Sequence, residues 1–116
     1  MTVAQLTEQL NLKVFALPDG AREITGGYMG DLLSWVMGRA REGDAWITIM
    51  SNQNVAAVAA LSDVACVILA EGVQPDPDLL HKAQTQGINL LGDARGAFAL
   101  AGELRELGVG RTEGRI

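Results

Sequence analysis

Two apolar segments, Ala45-Trp46-Ile47-Thr48-Ile49-Met50 and Val64 to Ala70, bracket an alanine-rich stretch, and that arrangement narrows the folds open to this chain more than any other feature. The first segment is rich in β-branched and aromatic residues. It is flanked by Gly43-Asp44 and Ser51-Asn52, which favour turns and caps, so it reads as a strand. The second reads the same way. Between them Val55, Ala56, Ala57, Val58, Ala59, Ala60 and Leu61 are apolar on every side, the pattern of a helix sandwiched between other elements. Strand, helix and strand in so short a reach imply a parallel pair with a right-handed crossover.

The flanking sequence adds layers to that unit. Thr2 with Gln5 has capping-box spacing, and Leu6 and Leu10 share a face, so Thr2 to Leu10 reads as a short helix. Leu12 to Leu17 is a strand, Pro18-Asp19-Gly20 a turn, and Arg22 to Thr25 is expected to return as a second short strand in a hairpin. Asp31 is expected to cap a helix carrying Leu32, Leu33, Val36 and Met37 and ending near Arg41. Asp76 and Pro77 open a further helix that Gly87 stops, and Ile88 to Leu91 is a strand. Asp93 is expected to cap a last helix with Phe98, Ala101, Leu104 and Leu107 inward, ended by Gly108. Alternation of this kind predicts an α/β fold, a small mostly parallel sheet flanked by helices. With 116 residues the chain is expected to form one domain over residues 1–108, with a frayed tail over 109–116.

Composition removes several function classes. Apolar residues at 48% against charged residues at 20% describe a compact chain rather than a disordered one. A net charge of −5 argues against nucleic-acid binding, which depends on Lys and Arg neutralising phosphates. No apolar run approaches the ~20 residues that span a bilayer, and Met1 to Gln9 lacks the form of a signal peptide, so no membrane association and a cytoplasmic setting are expected. Cys66, the single cysteine, lies within an apolar strand and is expected to be an inert core residue. His81, the single histidine, sits beside Lys82 on a solvent-facing helix surface, so neither a zinc site nor a Ser-His-Asp arrangement with Ser34 or Ser51 is indicated. Asp76 and Asp78 are explained by the dipole at a helix start. No metal, no cofactor and no catalytic group is expected.

Ligands of parallel α/β sheets collect at the carboxyl ends of the strands. Three corners fall there: Met50 to Asn54, Glu71-Gly72 and Gly92-Asp93. Ser51, Asn52 and Asn54 at a helix start have the chemistry to meet a phosphate or carboxylate, although ordinary capping accounts for the same residues. Together with Gly72 and Asp93 they form the candidate ligand edge. The run Gly26-Gly27-Tyr28-Met29-Gly30, between a strand and a helix, suggests either a phosphate-cradling loop or a tight turn with close helix packing. The next strand ends in Met50-Ser51 without the acidic residue of a dinucleotide fold, and no Walker spacing occurs. Trp46 is expected beneath a helix. Trp35 widens the apolar stripe of its helix, which with Tyr28 and Met29 makes either a self-association surface or additional core.

The succession Gly26-Gly27-Tyr28-Met29-Gly30-Asp31-Leu32-Leu33-Ser34, then Trp46-Ile47-Thr48-Ile49, Asn54-Val55-Ala56-Ala57-Val58-Ala59, and Val67-Ile68-Leu69 leading to Gly72 and Pro75, resembles the DRTGG-domain family from about Leu12 to Leu107. The resemblance implies an α/β regulatory module, commonly dimeric, of the kind attached to phosphotransacetylases and to pyrophosphatases with adenine-nucleotide-sensing CBS domains. It is greatest to small stand-alone members, encoded among hydrogenase-like iron-sulfur proteins and serine kinases, that carry an HPr-kinase-related name without the kinase domain. Two positions depart from the pattern. Ser51-Asn52 stands where many members have Asp-Arg, and Ala70-Glu71-Gly72 where they have Thr-Gly-Gly, which removes an arginine suited to phosphate. The resemblance thus implies a non-catalytic homodimeric domain binding a small anion such as an adenine nucleotide, or an accessory module for a partner enzyme with no small-molecule ligand.

Overall fold

A computed structural model describes residues 1–110. The elements in chain order are α1 (Val3–Leu10), β1 (Lys13–Ala16), β2 (Gly26–Met29), α2 (Leu33–Arg39), β3 (Asp44–Thr48), α3 (Asn54–Ser62), β4 (Cys66–Leu69), α4 (Pro77–Gln86), β5 (Leu90–Gly92) and α5 (Ala97–Glu106). They build one five-stranded sheet in the order β1-β5-β4-β3-β2. β2, β3, β4 and β5 are parallel, and β1 closes one edge antiparallel to β5.

The predicted crossover is present. β3 and β4 pair in parallel register from Ala45↔Cys66 to Thr48↔Leu69, joined through α3. Both strands are buried on both faces, and the alternation of a pleated strand sorts their side chains between two cores. Ala45, Ile47, Cys66 and Ile68 meet Val3, Leu6 and Leu10 of α1 and Leu100 and Leu104 of α5. Trp46, Val67 and Leu69 meet Val36 of α2, four residues of α3, and Leu79 and Ala83 of α4. Each fully buried large side chain of this kind contributes about 1.5–3 kcal/mol. Trp46 also satisfies its one polar atom, because indole Nε1 donates to the Gly30 carbonyl at 2.9 Å.

The helices differ from expectation at their surfaces and ends. α1 starts as predicted, with Thr2 and Gln5 exchanging both capping-box hydrogen bonds. α3 packs between α2 and α4, but its outer face is open to solvent and Leu61 is 74% exposed, so the stretch is not buried all round. Phe98 is 89% exposed, and Leu100 takes the inward place expected of it, because α5 begins at Ala97 behind Gly96 rather than behind Asp93. Nor does Asp31 cap α2. Its carboxylate accepts from Thr48 Oγ1 at 2.8 Å and from the Ile49 N–H at 2.9 Å, tying the loop before α2 to the end of β3. Val109 is only 7% exposed and its N–H donates to the Leu104 carbonyl, so packing continues past Gly108; residues 111–116 of the expected tail lie outside the described residues.

The expected hairpin does not form. Residues 17–25 leave β1, pass beneath the start of α1 and arrive at the opposite edge of the sheet, making one isolated bridge, Thr2↔Glu23, on the way. A buried asparagine explains the route. Asn89 Nδ2 donates to the carbonyls of Asp19 and Ala65, and Asn89 Oδ1 accepts from the Asp19 N–H, which fastens the turn beside β5 instead of letting it fold back. The glycine run is likewise neither loop nor tight turn: Gly26 to Met29 are edge strand β2, parallel to β3.

The β1 edge depends on a close approach at Gly92, where a Cβ would lie 2.5 Å from Phe15 Cε2. Gly92→Ala should therefore lose about 1–3 kcal/mol of stability. Gly102→Ala, in α5 with nothing within 4 Å of the new methyl, should gain about 0.5–1 kcal/mol. Urea unfolding of the two variants beside the parent measures both changes.

Candidate functional site

At the carboxyl end of β4 the chain turns on two consecutive left-handed residues, Glu71 at φ 62° and Gly72 at φ 72°. The turn is laced to the loop after β5. Glu71 N–H donates to the Arg95 carbonyl and Gly72 N–H to the Asp93 carbonyl, both at 2.9 Å, while Asp93 N–H donates to Leu69 at 3.0 Å. Because β1 runs antiparallel to β5, its first residue arrives at this same end. The result is a cavity of about 370 Å³ whose lining includes Lys13, Phe15, Gly72, Gln74, Gly92 and Asp93.

Of the five residues expected at the ligand edge, the structure brings Gly72 and Asp93 together here. The other three sit elsewhere along the same edge, where the Ser51 and Asn52 side chains and the Asn54 backbone N–H are engaged internally while the Asn54 side chain is exposed. Ser51 Oγ donates to Asp76 Oδ1 at 3.2 Å, and the Asp76 N–H donates to the Ser51 carbonyl at 2.9 Å. Asn52 Oδ1 accepts from the Asn54 N–H at 2.9 Å, so the side chain at the start of α3 serves the helix itself. Of the glycine run, Gly30 alone stands between strand and helix, and the Tyr28 ring packs back over it, 3.0 Å from where a Cβ would be. Of the aromatic pair, Trp46 is core and Trp35 is 53% exposed, with the Arg39 guanidinium 3.6 Å from its ring centroid; Met29 is 51% exposed.

Lys13, Phe15 and Gln74 were not singled out from the sequence. Lys13 Nζ lies 3.5 Å from Gln74 Oε1 and 5.1 Å from the Phe15 centroid, so the cavity has an ammonium held over an aromatic face. The alternation in Lys13-Val14-Phe15 was visible, but its position depends on β1 pairing with β5, which no local pattern encodes. Asp93 does not act as an unpaired anion: Arg95 Nε reaches Oδ2 at 2.6 Å and Nη2 reaches Oδ1 at 3.1 Å. Hydrogen bonding to Arg95 lowers the Asp93 pKa below its ordinary 3.8 and raises that of Arg95, against the smaller opposing effect of burial. Among the described residues the lining offers one ammonium, the Arg95-paired Asp93 carboxylate, the Asn11 and Gln74 amides and a ring face.

Cys66 lies far from this chemistry, buried within β4, where desolvation pushes its thiol up to about 12 and leaves it protonated. Among the described residues no cluster of three or more His, Cys, Asp or Glu is placed to hold a metal ion, and no helix is long and apolar enough to cross a membrane.

No protein-family model and no curated protein matches the sequence. Among solved structures the chain is similar to the CBS and DRTGG domains of the regulatory region of Clostridium perfringens pyrophosphatase, determined with the activator diadenosine tetraphosphate. The TM-score is 0.64 at 13% identity, over 86% of this chain and 44% of that one. The likeness is one of fold, and the chain spans less than half of the structure it matches.

The Asp93–Arg95 pair has a defined pH signature. A lowered folded-state pKa at Asp93 gives stability that is present above the unfolded value near 3.8 and lost as pH falls through the folded value. Asp93→Asn should be about 0.5–1 kcal/mol less stable than the parent at pH 7, a size limited by solvent screening at Arg95. The gap should close as the buffer is taken below about pH 4 in matched denaturation curves.

Proposed function

We propose that this chain is a non-catalytic regulatory module of the DRTGG type, acting as a homodimer that senses a small anion such as an adenine nucleotide. The observation that carries this is the fold shared over 86% of the chain with a regulatory region whose activator is a dinucleotide. The cavity beside Gly72 and Asp93 supports it: the Lys13 ammonium is a counter-charge for phosphate, and the Phe15 ring offers an apolar surface beside it. Ser51, Asn52 and Asn54 extend the ligand edge along the same strand ends. Their internal hydrogen bonds make them the rim of the site rather than its anchor.

A second reading rests on a separate observation. Leu32, Trp35 and Met37 on or beside α2 are all about half exposed, as is Met29 on the neighbouring edge strand. Exposed apolar side chains at this edge of the sheet suit self-association through Tyr28, Met29 and Trp35, or docking on a partner enzyme of a hydrogenase-like iron-sulfur or kinase system.

Calorimetric titration with AMP, ATP, diadenosine tetraphosphate and pyrophosphate tests the first reading. Saturable binding weakened about fivefold or more by Lys13→Gln is expected, since the lost contact is charge-assisted. Silence from every compound at millimolar concentration counts against a ligand at this edge. Light scattering across a dilution series, with Trp35→Ala beside the parent, addresses assembly: a dimer that dissociates in the variant is expected, and monomers throughout remove the α2 surface as an interface.

A further inference from the structure

A second cavity lies on the face of the sheet covered by α1 and α5, where α5 packs on β3 and on the edge strand β2. It holds about 510 Å³, within the range of roughly 300–1,000 Å³ common to small-molecule sites. Small residues leave the hollow open: exposed Gly27 and half-buried Ala101 line it, above the buried Ala45 and Ile47. At Gly27 a Cβ would be 3.7 Å from the Ala45 carbonyl and 3.9 Å from Val109 Cγ1, ordinary contact distances, so backbone strain does not require the glycine. A larger side chain there would occupy the cavity.

The electrostatics of this hollow run against the composition. The chain has 14 acidic residues against 9 lysines and arginines, yet among the described residues Arg41 and Arg105 line the cavity and no Asp or Glu does. Neither arginine forms an ion pair with a described residue. Glu42 and Asp44 line an adjoining hollow that also includes Arg41, and Asp44 Oδ2 accepts from the Arg41 backbone N–H at 2.8 Å, leaving the guanidinium without an ion pair among the described residues. Two guanidinium groups beside an apolar floor satisfy two requirements at once: removal of hydrocarbon from water, and charge-assisted hydrogen bonds to an acidic head.

We infer that this hollow is a binding site for a small amphiphilic anion, an apolar body carrying one carboxylate or sulfonate-like head. The body lies against Gly27 and Ala101, and the head meets Arg41 and Arg105. The site shares no residue with the cavity beside Gly72 and Asp93, so it stands or falls independently of nucleotide binding.

Amide-resolved NMR titration of the full chain with octanoate, octane-1-sulfonate and octylammonium, below their micellar concentrations, tests it. The two anions should move the Gly27, Ala45 and Ala101 signals saturably, and octylammonium should not. Arg41→Gln and Arg105→Gln should each weaken octanoate by about tenfold, the loss expected of one charge-assisted contact. Gly27→Val, which fills the floor with a residue that suits a strand, should abolish binding while distant signals stay in place. Equal response to octylammonium, no saturable shift at millimolar octanoate, or octanoate affinity unchanged by both arginine substitutions would each overturn the site. If Gly27→Val fails to fold, the arginine variants and the charge series still decide.

Discussion

Parallel pairing of β3 with β4 is the contact from which the other layers take their position. Both strands are buried on both faces, so every backbone N–H and C=O in them must find a partner within the sheet, and every side chain must find a helix above or below. Trp46 and Ile47, adjacent in sequence, enter opposite cores. A slip of one residue in this register would send Trp46 against α5 and displace both cores together, which is why one crossover fixes the rest of the architecture.

The carboxyl edge gains its shape from backbone hydrogen bonds rather than from side chains. The loops after β4 and β5 are tied by the N–H groups of Glu71, Gly72 and Asp93, and the loop after β2 is tied to β3 through Asp31. Polar residues that a ligand would find attractive, Ser51 and Asn52 among them, already serve this internal stitching. What remains open to a ligand is the gap between the stitched loops and the start of β1, where Lys13 stands. The opposite end and face carry a different chemistry, with arginines over a shallow apolar floor.

The parts legible in the sequence were those set by local pattern. The capping box at Thr2, proline and glycine around α4, and the β3-α3-β4 unit each announce themselves within a few residues, because caps, turns and strand composition are local physics. The course of residues 17–25 was not legible, since it depends on one buried amide, Asn89, far along the chain. Gly26 to Met29 misled for the related reason that glycines on an edge strand look like a loop until β3 pairs with them. Asp31 and Asp93 both have the identity and spacing of helix caps, yet each accepts from donors outside the helix that follows, Thr48 with Ile49 in one case and Arg95 in the other. Of the five residues expected at the ligand edge, Gly72 and Asp93 meet at one cavity, and its Lys13 was not anticipated because it depends on β1 pairing with β5.

The pairing of β1 with β5 has a consequence for how the molecule comes into being. Within this chain β3 and β4 can pair as soon as α3 links them, whereas β1 has no sheet neighbour until β5, far along the sequence, has been made. β1 therefore joins the sheet only after β5. Until then Phe15 and the polar stretch behind it trail from a nascent core, and closing that edge completes the sheet and assembles the Lys13 cavity in one late event.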